Sequence, residues 1–347
     1  MVLSSCGWKL AEIKATGRPL SASNQKTLDI FTWAGYIDDA LLKRFKNETG
    51  IEVRASVYAS NEEMLGKIQA SGGGEYSIIY PSDYIVSQMA ELGLLKELDH
   101  SRLQGLENLF PRFQNPPADV GLRYSVPMAW GTTVLIYNTA RLKSLPEDWN
   151  YLWEHQLELA KQMTLLDDPR EVIGAVLKML GYSYNSTDAE QVKQAYEKLV
   201  TLKPAIASFT TDAWQNQILA GDLLLAMCYS ADANKISRQD PKLQYVIPRS
   251  GSSVWMDTIV IPKTAPNPDG AYSWINFMLQ PDVAAQICER LSFATPNQVA
   301  YNQLAPQIRN NEGLFPPEDL LQKCESIAQV GKFVEVYDKY WTRLRSS

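Results

Sequence analysis

The sequence predicts an α/β protein built as two units, each a mainly parallel sheet flanked by helices. Three observations carry this. Strand and helix patterns alternate as β-α-β-α-β-α over residues 27–93, the arrangement that yields parallel pairing. At 347 residues the chain exceeds what one typical core fills, so two units are expected. A second series of strand and helix patterns then begins at Thr133-Val134-Leu135-Ile136-Tyr137-Asn138.

Residues 1–25 carry no element pattern and are expected to form a tether. Leu3-Ser4-Ser5-Cys6 has the form of a bacterial lipoprotein cleavage box, with Cys6 the acylated residue and lipid anchor. The alternative is a frayed terminus.

Thr27-Leu28-Asp29-Ile30-Phe31 predicts a strand running into Thr32-Trp33-Ala34-Gly35-Tyr36. A helix follows, with Asp38 or Asp39 as N-cap, Leu41, Leu42 and Phe45 on one face, and Gly50 as its stop. Ile51–Ala55 is the next strand. Ser60-Asn61-Glu62-Glu63 is a capping box that opens a helix with Met64, Leu65 and Ile68 inward. Tyr76–Tyr80 is a buried strand, and Pro81-Ser82-Asp83-Tyr84 starts a helix ending near Gly93. In parallel sheets ligands sit outside the carboxyl ends of the strands. Trp33 and Tyr36 follow the first strand, and Ser82 and Tyr84 the third, so topology alone places these four where a ligand would lie.

In the second unit, Met163–Leu166 leads to Asp167-Asp168-Pro169-Arg170-Glu171. Pro169 suits the first helical position, with Asp168 as N-cap and Glu171 in the first turn. The local reading is a capping box. A cation site there requires both carboxylates at least partly free, because a helix N-terminus by itself prefers anions. Thr187–Glu190 opens an amphipathic helix with Val192, Ala195, Tyr196, Leu199 and Val200 inward. Thr211 precedes a further helix. Leu223–Tyr229 reads as a buried strand presenting Tyr229 at its far end. Ser253–Pro262 is a strand that places Trp255 and Asp257 on one side, about 7 Å apart. An aromatic face beside a carboxylate suits an organic cation; a core tryptophan next to a solvated aspartate is the plainer alternative. Helices at 269–279 and 281–290, the loop Phe293–Asn297 and a final helix near 332–344 complete the chain.

Composition excludes several function classes. Hydrophobic content of 45% and charged content of 21% are those of a soluble globular protein. Net charge is −6, from 33 basic and 39 acidic residues, and no Lys/Arg-rich run occurs, which argues against a nucleic-acid surface. The two histidines, His100 and His155, lie far apart and near no nucleophile motif. The four cysteines show no C-x-x-C pairing, so neither a zinc site nor a disulfide framework is expected, and no cofactor is implied.

Seven strings, taken together in order and spacing, resemble the spermidine/putrescine-binding proteins of bacterial ABC importers. They are Tyr58-Ala59-Ser60-Asn61-Glu62, Pro81-Ser82, Trp130-Gly131, Asp167-Asp168-Pro169-Arg170-Glu171-Val172, Gly181-Tyr182-Ser183, Trp255-Met256-Asp257 and Ala294-Thr295-Pro296-Asn297. The resemblance runs from about residue 27 to the C-terminus. It implies a two-lobed periplasmic binding protein of type II with the ligand in the interlobe cleft, one lobe from 26–134 plus 258–305 and the other from 135–257 plus 306–347. Strands near 133–138 and 255–261 cross between the lobes, which close by hinge motion.

By the same resemblance, aromatic walls fall on Trp33, Tyr36, Tyr84 and Trp255, ammonium-binding carboxylates on Asp168, Glu171 and Asp257, and hydroxyl hydrogen-bonders on Ser82 and Thr211. The chain departs from the pattern at Ala34 and Gly35, which stand in place of a threonine and an acidic residue. Tyr229 replaces a tryptophan, Phe293 a tyrosine, and Ile327 aligns near a glutamine. Asp83 or Glu325 is the carboxylate available to compensate. The implied partners are a polyamine and a membrane permease, with no nucleic acid, a monomeric state, and a periplasmic or cell-surface location. Two alternatives stay open: the same module reading a different cationic or partly neutral amine, and an enzyme on a similar scaffold.

Overall fold

The computed structural model describes residues 26–73 and 75–346. The expected tether and the anchor at Cys6 lie outside the described residues. Among the described residues ten strands form: β1 (Thr27–Trp33), β2 (Glu52–Tyr58), β3 (Ile78–Ile79), β4 (Ser125–Asn138), β5 (Met163–Leu165), β6 (Ile206–Phe209), β7 (Leu225–Tyr229), β8 (Leu243–Val246), β9 (Ser253–Val260) and β10 (Glu325–Ser326). Their order is β2-β1-β3-β9-β4-β7-β5-β6, with β10 beside β9 and β8 beside β4. β1 runs parallel to β2 and β3, and β5 parallel to β6 and β7. These are the two parallel series expected from the alternating patterns.

The two series are joined by antiparallel strands. Residues Ser125–Thr132 of β4 pair with β9, whereas Thr133–Tyr137 pair with β7 and Leu135–Asn138 with β8. One strand therefore belongs to both halves, and all 14 of its residues are buried. The sequence pattern exposed only its second half. Pro127 and Gly131 interrupt the first half, and Pro cannot donate to a ladder. The chain accommodates Pro127 by a register shift between Pro127 and Ala129.

Local signals set the helices. Asp38 Oδ1 accepts from Leu41 N at 2.8 Å, and Gly50 ends that helix at φ 73°. Ser60 Oγ accepts from Glu63 N at 3.1 Å, while Glu63 returns an oxygen to Ala59 N at 2.8 Å. Val200, expected inward, is 40% exposed. The buried stripe of this helix runs through Val192, Ala195, Leu199 and Leu202, and Val200, about 100° round from Leu199, falls off it.

Hydrophobic side chains gather into separate cores on either side of the shared strands. One joins Leu28, Ile30, Trp274 and Phe277; the other joins Leu165, Val176, Leu199 and Trp341. The final helix, Val334–Ser346, packs on the second core as expected. The segment preceding it does not conform to the expected boundary at 306. Leu314 and Leu321, with half-buried Ile308 and Phe315, pack on the first core, because the apolar face of this segment meets Trp130 and Tyr301 there.

Candidate functional site

Asp257 on β9 is the centre of the first cluster. Ser82, just beyond β3, bridges to Asp257 along the backbone and donates its Oγ to Asp257 Oδ1 at 2.7 Å. The Tyr36 hydroxyl, from the turn after β1, donates to the other oxygen, Oδ2. Asn61, buried at the start of its helix, donates to Ser82 Oγ at 3.1 Å and to the Tyr84 hydroxyl at 2.9 Å. Asp83 is 7% exposed, and its carboxylate accepts from its neighbour's amide, Tyr84 N, at 2.9 Å. Trp33 packs edge-on to Tyr58 with centroids 4.5 Å apart. Phe293 lies 4.4 Å from the Tyr36 ring and offers no polar atom.

A second cluster forms at the end of β5. Asp168 caps the helix Pro169–Met179, and both backbone bonds, from Arg170 N at 2.7 Å and Glu171 N at 3.1 Å, go to Oδ1. The capping reading is therefore correct, yet Oδ2 takes no bond among the described residues. Glu171 is 2% exposed; its Oε2 accepts from the Tyr184 hydroxyl at 3.0 Å and from Ser253 Oγ at 2.7 Å. Tyr184 reaches it by lying flat on Gly174, where a Cβ would stand 2.2 Å from the ring. Tyr229, at the end of β7, meets Trp255 edge to face at 6.1 Å. The Trp255 ring lies across Gly131 of β4, its register partner, and its indole N–H reaches Thr132 O at 3.4 Å.

The clusters share one space. The Tyr229 hydroxyl is held far above its ordinary range by burial and then by the charges of Glu171, Asp168 and Asp257. Tyr84 is raised by burial and also by Glu62 and Asp168. Gln329 Nε2 donates to Tyr84 O at 3.1 Å, bringing the C-terminal segment to the same place. Trp33, Tyr36, Ser82, Asp83, Tyr84, Asp168, Glu171, Tyr229, Trp255, Asp257 and Phe293 thus lie around the carboxyl ends of the strands. Thr211 stands two residues beyond β6, at the same sheet end, where its carbonyl receives Trp214 Nε1 at 2.9 Å. Glu325 does not join them: Lys178 Nζ at 2.7 Å and Ser183 Oγ at 2.5 Å take both its oxygens. Ile327 is half-buried against the second core. Asn61, Tyr184 and Ser253 were not identified from sequence. Asn61 lies within Tyr58-Ala59-Ser60-Asn61-Glu62, but its side chain carries no local mark of its long-range partners.

The electrostatics are one-sided. Asp83, Asp168, Glu171 and Asp257 form no ion pair among the described residues. Burial pushes Asp257 up to about 6, against the hydroxyls of Tyr36 and Ser82 that hold it down. Burial, and then the charge of Asp257, pushes Asp83 up to about 7. Glu171 is raised by burial and then by Asp168; Asp168 is raised by burial, against the amides of Glu171 and Arg170. Buried, unpaired carboxylates are costly unless a cation enters among them.

A pH dependence follows. The folded Asp257 holds its proton to higher pH than the unfolded chain does, so between about pH 4 and 7 the native state binds more protons. Its stabilising proton is fully present below about pH 4 and is lost as pH rises through about 6. The melting temperature of ligand-free Asp257→Asn should therefore gain on wild type as pH rises from about 5 to about 7.5. Paired thermal melts at the two pH values test this; a difference that does not change with pH contradicts it.

The chain matches the model of the family of bacterial extracellular solute-binding proteins over residues 40–316. A spermidine/putrescine-binding periplasmic protein of Salmonella typhimurium is 36% identical over 327 residues, which cover 94% of this chain and 93% of that protein. Spermidine/putrescine-binding periplasmic protein 1 of Haemophilus influenzae is 35% identical over 347 residues, covering 99% and 95%. The solved spermidine/putrescine ABC transporter substrate-binding protein of Streptococcus pneumoniae superposes with a TM-score of 0.86 at 35% identity, over 92% of this chain and 99% of that one.

Proposed function

This chain belongs to the family of bacterial extracellular solute-binding proteins, and on that premise we propose that it captures a polyamine and delivers it to the permease of an ABC importer. The observation that carries the reading is the set of four carboxylates, Asp83, Asp168, Glu171 and Asp257, none of them ion-paired among the described residues. A polyamine supplies ammonium groups at intervals along an apolar chain. Asp257, with Asp83 behind it, takes one ammonium; Asp168 Oδ2 and Glu171 take another. Trp255 and Tyr229 flank the methylenes between them, with Trp33, Tyr36, Tyr84 and Phe293 as further walls. Each well-placed ring adds about 0.5–2 kcal/mol of cation–π attraction. Ser82 and Tyr36 orient the Asp257 carboxylate, and Thr211 offers a hydroxyl at the opposite rim.

Asp83 stands on the first half of the chain, Asp257 on the shared strand β9, and Asp168 and Glu171 on the second half, so a cation bridging them favours the closed arrangement. β4 and β9 are the hinge strands, and the closed form is what the permease reads. No bond is made or broken in this cycle. No helix among the described residues is long and apolar enough to cross a membrane. We place the protein outside the cytoplasmic membrane as a single chain, anchored by a lipid on Cys6; a lipid-sized mass increase on the N-terminal peptide checks the anchor.

Specific residues also favour a second reading, a ligand with fewer charged ends. Gly35 is left-handed at φ 79°, where a side-chain-bearing residue is strained, and Ala34, Phe293 and Ile327 offer no polar atom. Calorimetric titration of ligand-stripped protein with putrescine, spermidine and spermine tests both. Saturable binding at about micromolar or tighter, roughly −8 kcal/mol, supports the polyamine reading. No heat with any of the three overturns it and leaves the fold assignment standing.

A further inference from the structure

The hydrogen bonds leading to Asp257 run in one direction, and Asn61 sets it. Ser82 N faces one side-chain atom of Asn61 at 3.2 Å. A backbone N–H can only donate, so that atom is the amide oxygen Oδ1, and the other is Nδ2, a pure donor. Nδ2 gives one hydrogen to Ser82 Oγ at 3.1 Å and one to the Tyr84 hydroxyl at 2.9 Å. An ionised carboxylate can only accept. The single Ser82 proton therefore goes to Asp257 Oδ1, at 2.7 Å, and the run from Asn61 through Ser82 to Asp257 has one polarity. A hydroxyl that accepts from an amide is also the stronger donor for doing so.

The local helix does not depend on this side chain. Asn61 opens the helix Asn61–Ser71, but Ser60 Oγ and the Glu63 carboxylate already satisfy that helix start. Asparagine is also a poorer helix former than alanine. Its amide is nevertheless buried, at 4% exposure for the residue, and bonds Ser82 and Tyr84, 21 and 23 residues along the chain. Without Asn61 the Ser82 hydroxyl is a free rotor. It can then aim its proton away from Asp257, which leaves the Tyr36 hydroxyl to hold that carboxylate.

We propose that Asn61 is a positioning residue for ammonium binding, acting through Ser82, whose proton it aims at Asp257. The proposal rests on the polyamine reading and deepens it. The test is calorimetric titration of the full chain with spermidine, for wild type, Asn61→Asp, Ser82→Ala and the double variant. It is run at about pH 8, well above ordinary carboxylate values. Asn61→Asp keeps the shape and the acceptor for Ser82 N, but it turns the donor into a second acceptor, so the Ser82 proton swings towards position 61. Affinity should fall about tenfold, the scale of one hydrogen bond to a charged group. Charge alone predicts the opposite, since an added carboxylate attracts a cation. In the Ser82→Ala background the same change should no longer weaken binding, because the relay is already gone.

Asn61→Ala deletes the amide without adding charge and serves if the aspartate variant does not fold. Its loss of affinity should be larger at about pH 6.5 than at about pH 8.5. Burial pushes Asp257 up to about 6 against the hydroxyls of Tyr36 and Ser82, and it keeps its proton to higher pH once Ser82 turns away. Asp83, Tyr36 and Tyr58, which also face Asp257, are the same in both proteins. Unchanged or tighter binding by Asn61→Asp, or an equal loss with and without Ser82, overturns the role of Asn61 while leaving polyamine binding intact. So does a loss by Asn61→Ala that is the same at both pH values. Absence of spermidine binding to wild type removes the underlying reading, and the proposal with it.

Discussion

Asp257→Asn should weaken polyamine binding by about 2–5 kcal/mol, roughly 30-fold to several thousand-fold in Kd. Asparagine keeps the shape and can still accept from Ser82 or Tyr36, so the framework of hydrogen bonds around the position is largely retained. What is lost is the charge opposite a desolvated ammonium, and a buried cation left without its counter-charge carries most of the penalty. The fold should survive, because ligand-free Asp257 is a buried acid with no cationic partner. Titration calorimetry together with a thermal melt separates the two effects. Undiminished affinity in a folded variant would show that the ammonium is held elsewhere.

Gly131→Ala should damage both stability and binding. A Cβ there would lie 2.3 Å from Trp255 Cζ2 and 2.6 Å from Ser230 Oγ, distances that force the ring or the backbone to move. Overpacking of this kind costs about 1–3 kcal/mol. It falls where β4 and β9 face one another, so the Trp255 ring cannot tilt without leaving Tyr229 or opening the shared strand pair. The expected result is a melting temperature lower by a few degrees together with weaker polyamine binding. Gly66→Ala is the control: it lies inside the helix Asn61–Ser71 with nothing within 4 Å of its Cβ position. That change should be neutral or stabilising by about 0.5–1 kcal/mol. Equal behaviour of the two variants would contradict the steric account.

Much of this arrangement was legible because it is local. The cap at Asp168, the capping box at Ser60 and the position of Tyr229 at a strand end follow from spacings of two to four residues and from strand periodicity. The parallel series placed Tyr36, Ser82 and Tyr84 at one sheet end before any contact was known. The first half of β4 was hidden, because Pro127 and Gly131 break a strand pattern while the folded chain absorbs them with a bulge and an indole ring. Asn61, Tyr184 and Ser253 were hidden for a different reason. A buried polar side chain announces itself only by its partners, and these three find theirs across 21, 13 and 82 residues.

By itself, then, the sequence determined an α/β chain in two halves, the element boundaries set by caps and glycines, and the carboxylates and aromatic rings gathered at strand ends. The tertiary structure alone decided which carboxylates are free. Glu325 lost its candidacy to Lys178 and Ser183, while Asp257 kept its charge unpaired although Tyr36 reaches it across 221 residues. Helix caps and strand faces come from interactions within a few residues, which a linear pattern records. Pairing, burial and the resulting shifts in acidity come from contacts between distant segments, which exist only once the chain has closed on itself.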